Sequence, residues 1–238
     1  MARHLDWEGC WNVRDLGGLR TVDGRRTQHG RVVRADALDH LTAAGWEALA
    51  AHGVTTVIDL RDDDERGADV ARRPATVTTL RLPLDGSGDR VFWDLWKRGP
   101  QFGTPLYYRP HLERMPERSA AVLRAIADAP DGGVAYHCGA GRDRAGQITV
   151  LLLATVGVRH EDIAADYALS AGRLTIRAAE RGEEDQEPML SAYLAERGTS
   201  ATGVLMQTLA ELDVRSCLAQ AGLTGRHAAR LRRRLLAV

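Results

Sequence analysis

Apolar positions along the chain fall into short blocks whose spacing switches between two periods. The run "VTTVIDL" (54–60) is β-branched and bounded by Gly53 and "RDDD", the pattern of a strand buried on both faces. "VTTLRLPL" (77–84) predicts a second strand that Pro83 helps to end. "GVAYH" (133–137) predicts a third, and a short strand is expected near Arg31–Arg34. Between them the period lengthens. Thr42 can cap a helix running to about His52, with Gly53 as its stop. Residues 117–129 are amphipathic, and from Arg144 to about Val156 the pattern is that of a buried helix. A helix over 160–170 follows, then two or three more in the last third. Alternating strands and helices followed by a helical tail predict an α/β domain with a largely parallel sheet.

One stretch resists this reading. Residues 86–116 have no clear period, yet they hold Phe92, Trp93, Trp96, Phe102, Tyr107 and Tyr108, half of the twelve aromatic residues. They are expected to form either a lid or wall over a pocket, or a satellite hydrophobic cluster. The whole chain, 1–238, is expected to be one domain, with 86–116 as the insertion and 171–238 as a helical extension.

Composition narrows the field. The chain has 238 residues, 44% hydrophobic and 27% charged, with a formal net charge of zero. These values suit a globular protein with a substantial core and give no global attraction to nucleic acid or an anionic membrane. No apolar run reaches membrane-spanning length, and "MARHLDWEGCWNVRD" contains no apolar leader segment. A cytoplasmic location is therefore expected, with signal-independent secretion left open. Cys10, Cys138 and Cys217 are odd in number and far apart, so neither a disulfide framework nor a zinc pattern is expected. Lys97 is the only lysine.

The chemistry concentrates in "HCGAGRDRAG" (137–146). A dinucleotide loop needs G-x-G-x-x-G, but Arg144 stands at the third glycine position, where a side chain obstructs close packing of helix on strand. A cysteine loop fits better. Cys138 and Arg144 frame C-x5-R between a strand and a helix. A loop that tight turns backbone N–H groups toward one phosphate, and the helix N-terminus adds positive character. A field of that sign favours thiolate, the nucleophilic form of cysteine. Arg144 offers a planar fork for two phosphate oxygens, which lysine lacks. The phosphate cradle is thus expected from Gly139, Ala140, Gly141, Arg142, Asp143 and Arg144, with His137 bonding nearby backbone to hold the cysteine. No metal or cofactor is needed, since arginine and amide dipoles supply the positive field.

These residues resemble the H-C-x-x-G-K-D-R-T-G loop of the atypical bacterial and fungal tyrosine phosphatases. The resemblance extends to "NVRDLGGLRTVDGR" (12–25), "VTTVIDLRDDDER" (54–66) and "EDIAADYALS" (161–170), and is loose over 171–200. It implies the cysteine-phosphatase fold, a mainly parallel central sheet flanked by helices, and hydrolysis of phosphotyrosine, with phosphoserine, phosphothreonine or phosphoinositides taken by some members. Three positions depart from the family pattern. Ala145 stands where a hydroxyl residue usually helps the thiolate leave, Arg142 replaces a lysine, and Gly139 replaces a bulkier residue.

A leaving oxygen needs a proton. Asp143, which has a counterpart in the resembling family, is the expected donor, and Asp85 is the competitor. Arg14, Asp15, Asp59 and Arg61 are expected to form a charge network beneath the loop. The basic "GRHAARLRRRLLA" (225–237) reads as a helix packed through Ala228, Leu231, Leu235 and Leu236 with a solvated basic face. The expected activity is a cysteine-dependent phosphomonoesterase acting on a phosphorylated protein or small phosphomonoester, with phosphate, sulfate or vanadate able to fill the loop. The alternatives are a dual-specificity or phosphoinositide phosphatase, a pseudophosphatase that only binds, and a sulfur carrier, which would have no use for Arg144.

Overall fold

The computed structural model describes residues 3–237. Five strands form one sheet in the order β1-β2-β5-β3-β4. They are β1 (Arg14–Asp15), β2 (Val32–Ala35), β3 (Val54–Asp59), β4 (Thr78–Arg81) and β5 (Gly133–His137). β2, β5, β3 and β4 run parallel, and only the two-residue β1 is antiparallel. β5 is central and fully buried, as its unbroken apolar pattern predicts. β4 is shorter than the expected 77–84 and only half buried, because as an edge strand it has one neighbour.

Among the described residues ten helices flank the sheet. α1 (Ala43–Ala51) is capped by Thr42, whose hydroxyl accepts from the Gly45 amide. α2 (Arg90–Trp96), 3-10 turns at Pro100–Gly103 and Pro105–Tyr107, and α3 (Tyr108–Arg114) occupy the stretch without a clear period. Pieces this short, broken by Pro100, Pro105 and Gly103, cannot establish a 3.6-residue repeat. α4 (Pro116–Asp128) and α5 (Asp143–Val156) match expectation, and α5 ends on left-handed Gly157. α6 (His160–Arg181) runs eleven residues past the expected end at Ser170 before Gly182 stops it. Among the described residues four further helices follow, rather than two or three: α7 (Glu187–Ala195), α8 (Ala201–Glu211), α9 (Val214–Gln220) and α10 (Gly225–Leu235).

Two buried clusters stabilise the sheet, one on each face. The larger joins α4, α5 and the C-terminal helices to Ile58, Val134 and Tyr136. The smaller gathers Trp7, Trp46 and Leu49 under Val33, Val57 and Ala135. The alternation of strand side chains assigns Val57 to one cluster and Ile58 to the other. Among the described residues no helix is long and apolar enough to cross a membrane.

Candidate active site

β5 ends at His137, which pairs with Ala35 of β2 and Asp59 of β3. The chain then curls through residues 138–142 and enters α5. The loop therefore stands at the carboxyl end of the central parallel strand and at a helix N-terminus, where open α/β sheets hold anions.

The carbonyls of residues 139–142 are held from behind. Gly139 oxygen accepts from the Ala37 amide at 3.1 Å and from Arg177 at 3.2 Å. Ala140 oxygen accepts from Asn12 Nδ2 at 2.9 Å, and Gly141 oxygen from Arg34 Nη2 at 2.7 Å. Arg142 oxygen accepts from the Gly146 amide at 2.8 Å. Among the described residues the amides of residues 139–142 donate to no protein acceptor, so four oriented N–H dipoles are left for a ligand. Gly141 has φ +68°, and a Cβ there would lie 2.7 Å from the Ala35 backbone; only glycine fits. Gly146 lets Tyr108 and Tyr167 close on α5, since a Cβ would meet the Tyr108 hydroxyl at 2.7 Å.

Cys138 and Ala145 are buried at the root of this loop. Both oxygens of Glu65 hold the Arg144 guanidinium, one contact being 2.6 Å. Asp85 Oδ2 lies 3.7 Å from Arg144 Nη1. The carboxylates of Asp62, Glu65 and Asp85 converge within 4.8 Å of one another, on the side where Arg144 supplies the opposing charge. Burial disfavours a charge on Arg144, but Glu65, the sulfur of Cys138 when ionised and Asp85 more than offset it and hold the guanidinium charged. Asp85 is 4% exposed. Burial pushes its carboxyl up to about 6, with Arg144 and Lys97 opposing. Asp143 begins α5 and accepts from Arg142 Nε at 3.2 Å, while Arg142 Nη1 reaches Glu187 of α7 at 2.5 Å.

The expected network beneath the loop is divided. Arg14 turns to α6, donating to the Asp166 carbonyl at 3.1 Å and to Ser170 Oγ at 3.0 Å. Arg34, wholly buried, bridges Asp166 Oδ2 at 2.8 Å to the loop carbonyls. Asp59 and Asp39 clasp Arg61. Asp15 lies apart from both groups, because its oxygens accept from the Gly17 and Gly30 amides and meet His52. His137 has no hydrogen bond of ordinary geometry to its neighbours, although the Cys138 backbone lies close enough to the ring to favour its charged form. Both ring nitrogens are buried without a partner, Nε2 is 3.8 Å from Asp59, and burial pushes the ring down to about 4, so it is neutral. Arg34, Asp166, Asn12 and Arg177 are the supports that sequence reasoning misses. Asn12 and Asp166 lie in the motif-like segments, which was the available signal.

The aromatic stretch forms a stack beside the loop. Tyr107 meets Phe102, Trp93 and Tyr108 at ring separations of 5.9, 5.9 and 5.1 Å. Tyr108 donates its hydroxyl to the Asp143 carbonyl at 2.7 Å. An apolar hollow of about 320 Å³, lined by Tyr167, Leu190, Leu194 and Pro105, opens beside Arg142.

Residues 5–237 match the tyrosine phosphatase family. The chain belongs to that family. It is 31% identical, over 72% of its length, to a protein of Cupriavidus necator to which tyrosine-protein phosphatase activity is ascribed, and 37% identical over 58% of its length to a tyrosine-protein phosphatase of Nostoc commune. It spans 65% and 48% of the lengths of those two relatives. The triple specificity protein phosphatase PtpB of Mycobacterium tuberculosis is 28% identical over 68% of the chain and 67% of its own length. A solved TpbA of Pseudomonas aeruginosa in complex with phosphotyrosine aligns at 20% identity and a TM-score of 0.40, covering 79% of this chain and 91% of that one.

Proposed function

We propose that this chain is a cysteine-dependent phosphomonoester hydrolase of the tyrosine phosphatase type, most suited to phosphotyrosyl protein. The observation that carries the reading is the loop itself, whose carbonyls at 139–142 are restrained from behind while its amides stay free beside Cys138 and Arg144. Cys138 attacks phosphorus, the P–O bond breaks toward the leaving oxygen, and a phosphocysteine forms. Arg144 leaves Glu65 to grip two equatorial oxygens. Water then attacks phosphorus and the sulfur departs. The phosphate lies in the cradle of residues 139–144. The apolar hollow beside Arg142 suits a side chain flanking the phosphorylated residue, and the aromatic stretch 86–116 walls the site of a single domain. A cytoplasmic location is part of the same reading.

The sequence favours Asp143 as the proton donor. The raised carboxyl of Asp85 supports a second reading in which Asp85 protonates the leaving oxygen, because it retains its proton closer to neutrality than an ordinary aspartate. Asp143 already engages Arg142. Turnover of an aryl phosphate by wild type, Cys138→Ser and Arg144→Ala tests the class. Both variants are expected to lose activity, and phosphate binding without turnover in the wild type would make the protein a binder only. The pH–rate profiles of Asp85→Asn and Asp143→Asn separate the donors, since only the true donor's removal abolishes the alkaline fall.

A further inference from the structure

The only lysine of the chain stands at the rim of this site. Lys97 follows α2, and its Nζ lies 4.7 Å from the Trp93 ring centroid and 5.4 Å from that of Phe102. It is 4.0 Å from Asp85 Oδ2. The same Trp93 donates its indole N–H to the Asp85 carbonyl at 2.9 Å. One aromatic ring therefore fixes the backbone that carries the carboxyl and the ammonium that faces it. His111 Nε2 meets that carbonyl too, at 3.3 Å, so the segment is held from α2 and from α3.

We propose that Lys97 is a positioning residue that holds the Asp85 carboxyl and sets how tightly it keeps its proton. The inference rests on the reading that gives Asp85 a part in the reaction. The groups facing Asp85 come from several elements: Arg144 on α5, Glu65 and Asp62 after β3, the buried Tyr107 phenol, and Lys97 after α2. Arg144 must turn to the phosphate when substrate binds, which weakens its hold on the carboxyl. Lys97 lies at the exposed rim over two ring faces and does not turn to the phosphate. A cation at this distance favours the ionised carboxylate, and the π faces hold it in place.

The sign follows. Removing the charge makes Asp85 keep its proton to higher pH. An acid that must be protonated to act then works to higher pH, so the alkaline fall of kcat/KM moves up.

The experiment measures kcat/KM for phenyl phosphate across pH in wild type, Lys97→Met, Lys97→Arg, Asp85→Asn and Lys97→Met/Asp85→Asn. It also follows the Asp85 carboxyl by carbon NMR in a Cys138→Ser background, identified by its loss in Asp85→Asn. Lys97→Met is expected to move both the alkaline fall and the carboxyl titration upward by roughly one pH unit. Lys97→Arg is expected to restore both, and Lys97→Met to change no ionisation once Asp85 is gone. An Asp85 carboxyl that titrates at the same pH in wild type and Lys97→Met overturns the inference. A carboxyl that moves while the rate profile does not supports the Lys97–Asp85 pairing and removes Asp85 as the donor. Should Lys97→Met fail to fold, acetylation of Cys138→Ser protein gives the same NMR reading, with acetylated Lys97→Arg as the control for the α-amine.

Discussion

Asp85 is a residue the fold carries at a cost. Its carboxyl is raised from 3.8 to about 6 by burial, so the native state is penalised in full above about 6, and the penalty is relieved progressively as pH falls from there to 3.8. Asp85→Asn keeps the shape without the charge, so at neutral pH and above it is expected to raise stability by about 1–3 kcal/mol while lowering activity. Thermal melts from neutral pH down to below pH 4 check this: the gain should shrink between about 6 and 3.8 and vanish only below that range, and a variant no more stable than wild type at neutral pH contradicts it. Gly141 offers the opposite case. Gly141→Ala must hold φ +68° and clash with Ala35, so a loss of roughly 1–3 kcal/mol and near-complete loss of aryl phosphate turnover are expected. Ala145 is buried at the start of α5, where the resembling family has a hydroxyl. If that absence slows hydrolysis of the phosphocysteine, rapid mixing should show a burst that Ala145→Ser removes. Cys138, Arg144 and the glycines are readable from one decapeptide because their roles are local. Asn12, Arg34 and Arg177 are not, since they reach the loop from 38 to 128 residues away in sequence, and Asp166 acts on it only through Arg34.

At the scale of elements, periodicity reveals what is long and buried. β3, β5, α4 and α5 lie where their patterns put them, because each turns a continuous apolar face to the core. The stretch 86–116 does not announce its helices, since α2 and α3 have only seven residues each and cohere through edge-to-face aromatic contacts rather than a repeating stripe. α6 outruns its expected end because its second half is held by polar contacts: Arg173 donates to the Trp11 carbonyl and Arg177 to Gly139. That helix is also the strut of the site. Asp166 joins Arg34, and Arg34 joins the loop. Arg34→Met should leave Asp166 buried with fewer partners and release the Gly141 carbonyl, costing roughly 3–5 kcal/mol. Phosphate affinity should fall with stability. Asp166→Asn, which keeps the volume and some hydrogen bonds, should cost less on both counts. Equal melting temperatures for wild type and Arg34→Met would contradict the strut.

Over the whole molecule, zero net charge conceals a strongly internal distribution of ions. The basic face of α10 is engaged rather than simply solvated. Arg234 donates to the carbonyls of Gly132 and Pro130, Arg232 to Val156, and Arg230 pairs with Asp128. Buried neutral histidines make this arrangement acid-sensitive. Burial pushes His111 and His137 down to about 4, against 6.5 for an exposed ring. As pH drops through about 6.5 the unfolded chain takes up protons that the native state refuses, so stability falls until about 4. Asp15, Asp39 and Asp59 lie below the usual carboxylate range because of His52 and Arg61, and they extend the loss below that point. Asp85 works the other way, gaining through about 6, but it is one group against two histidines. The melting temperature is therefore expected to decline steadily from neutral pH toward pH 4. His137 makes no hydrogen bond that a substitute would have to replace, so it is the group to remove. Replacing it with Gln should flatten the decline even where it lowers stability at neutral pH. A pH dependence as steep in His137→Gln as in the wild type would assign the acid sensitivity elsewhere.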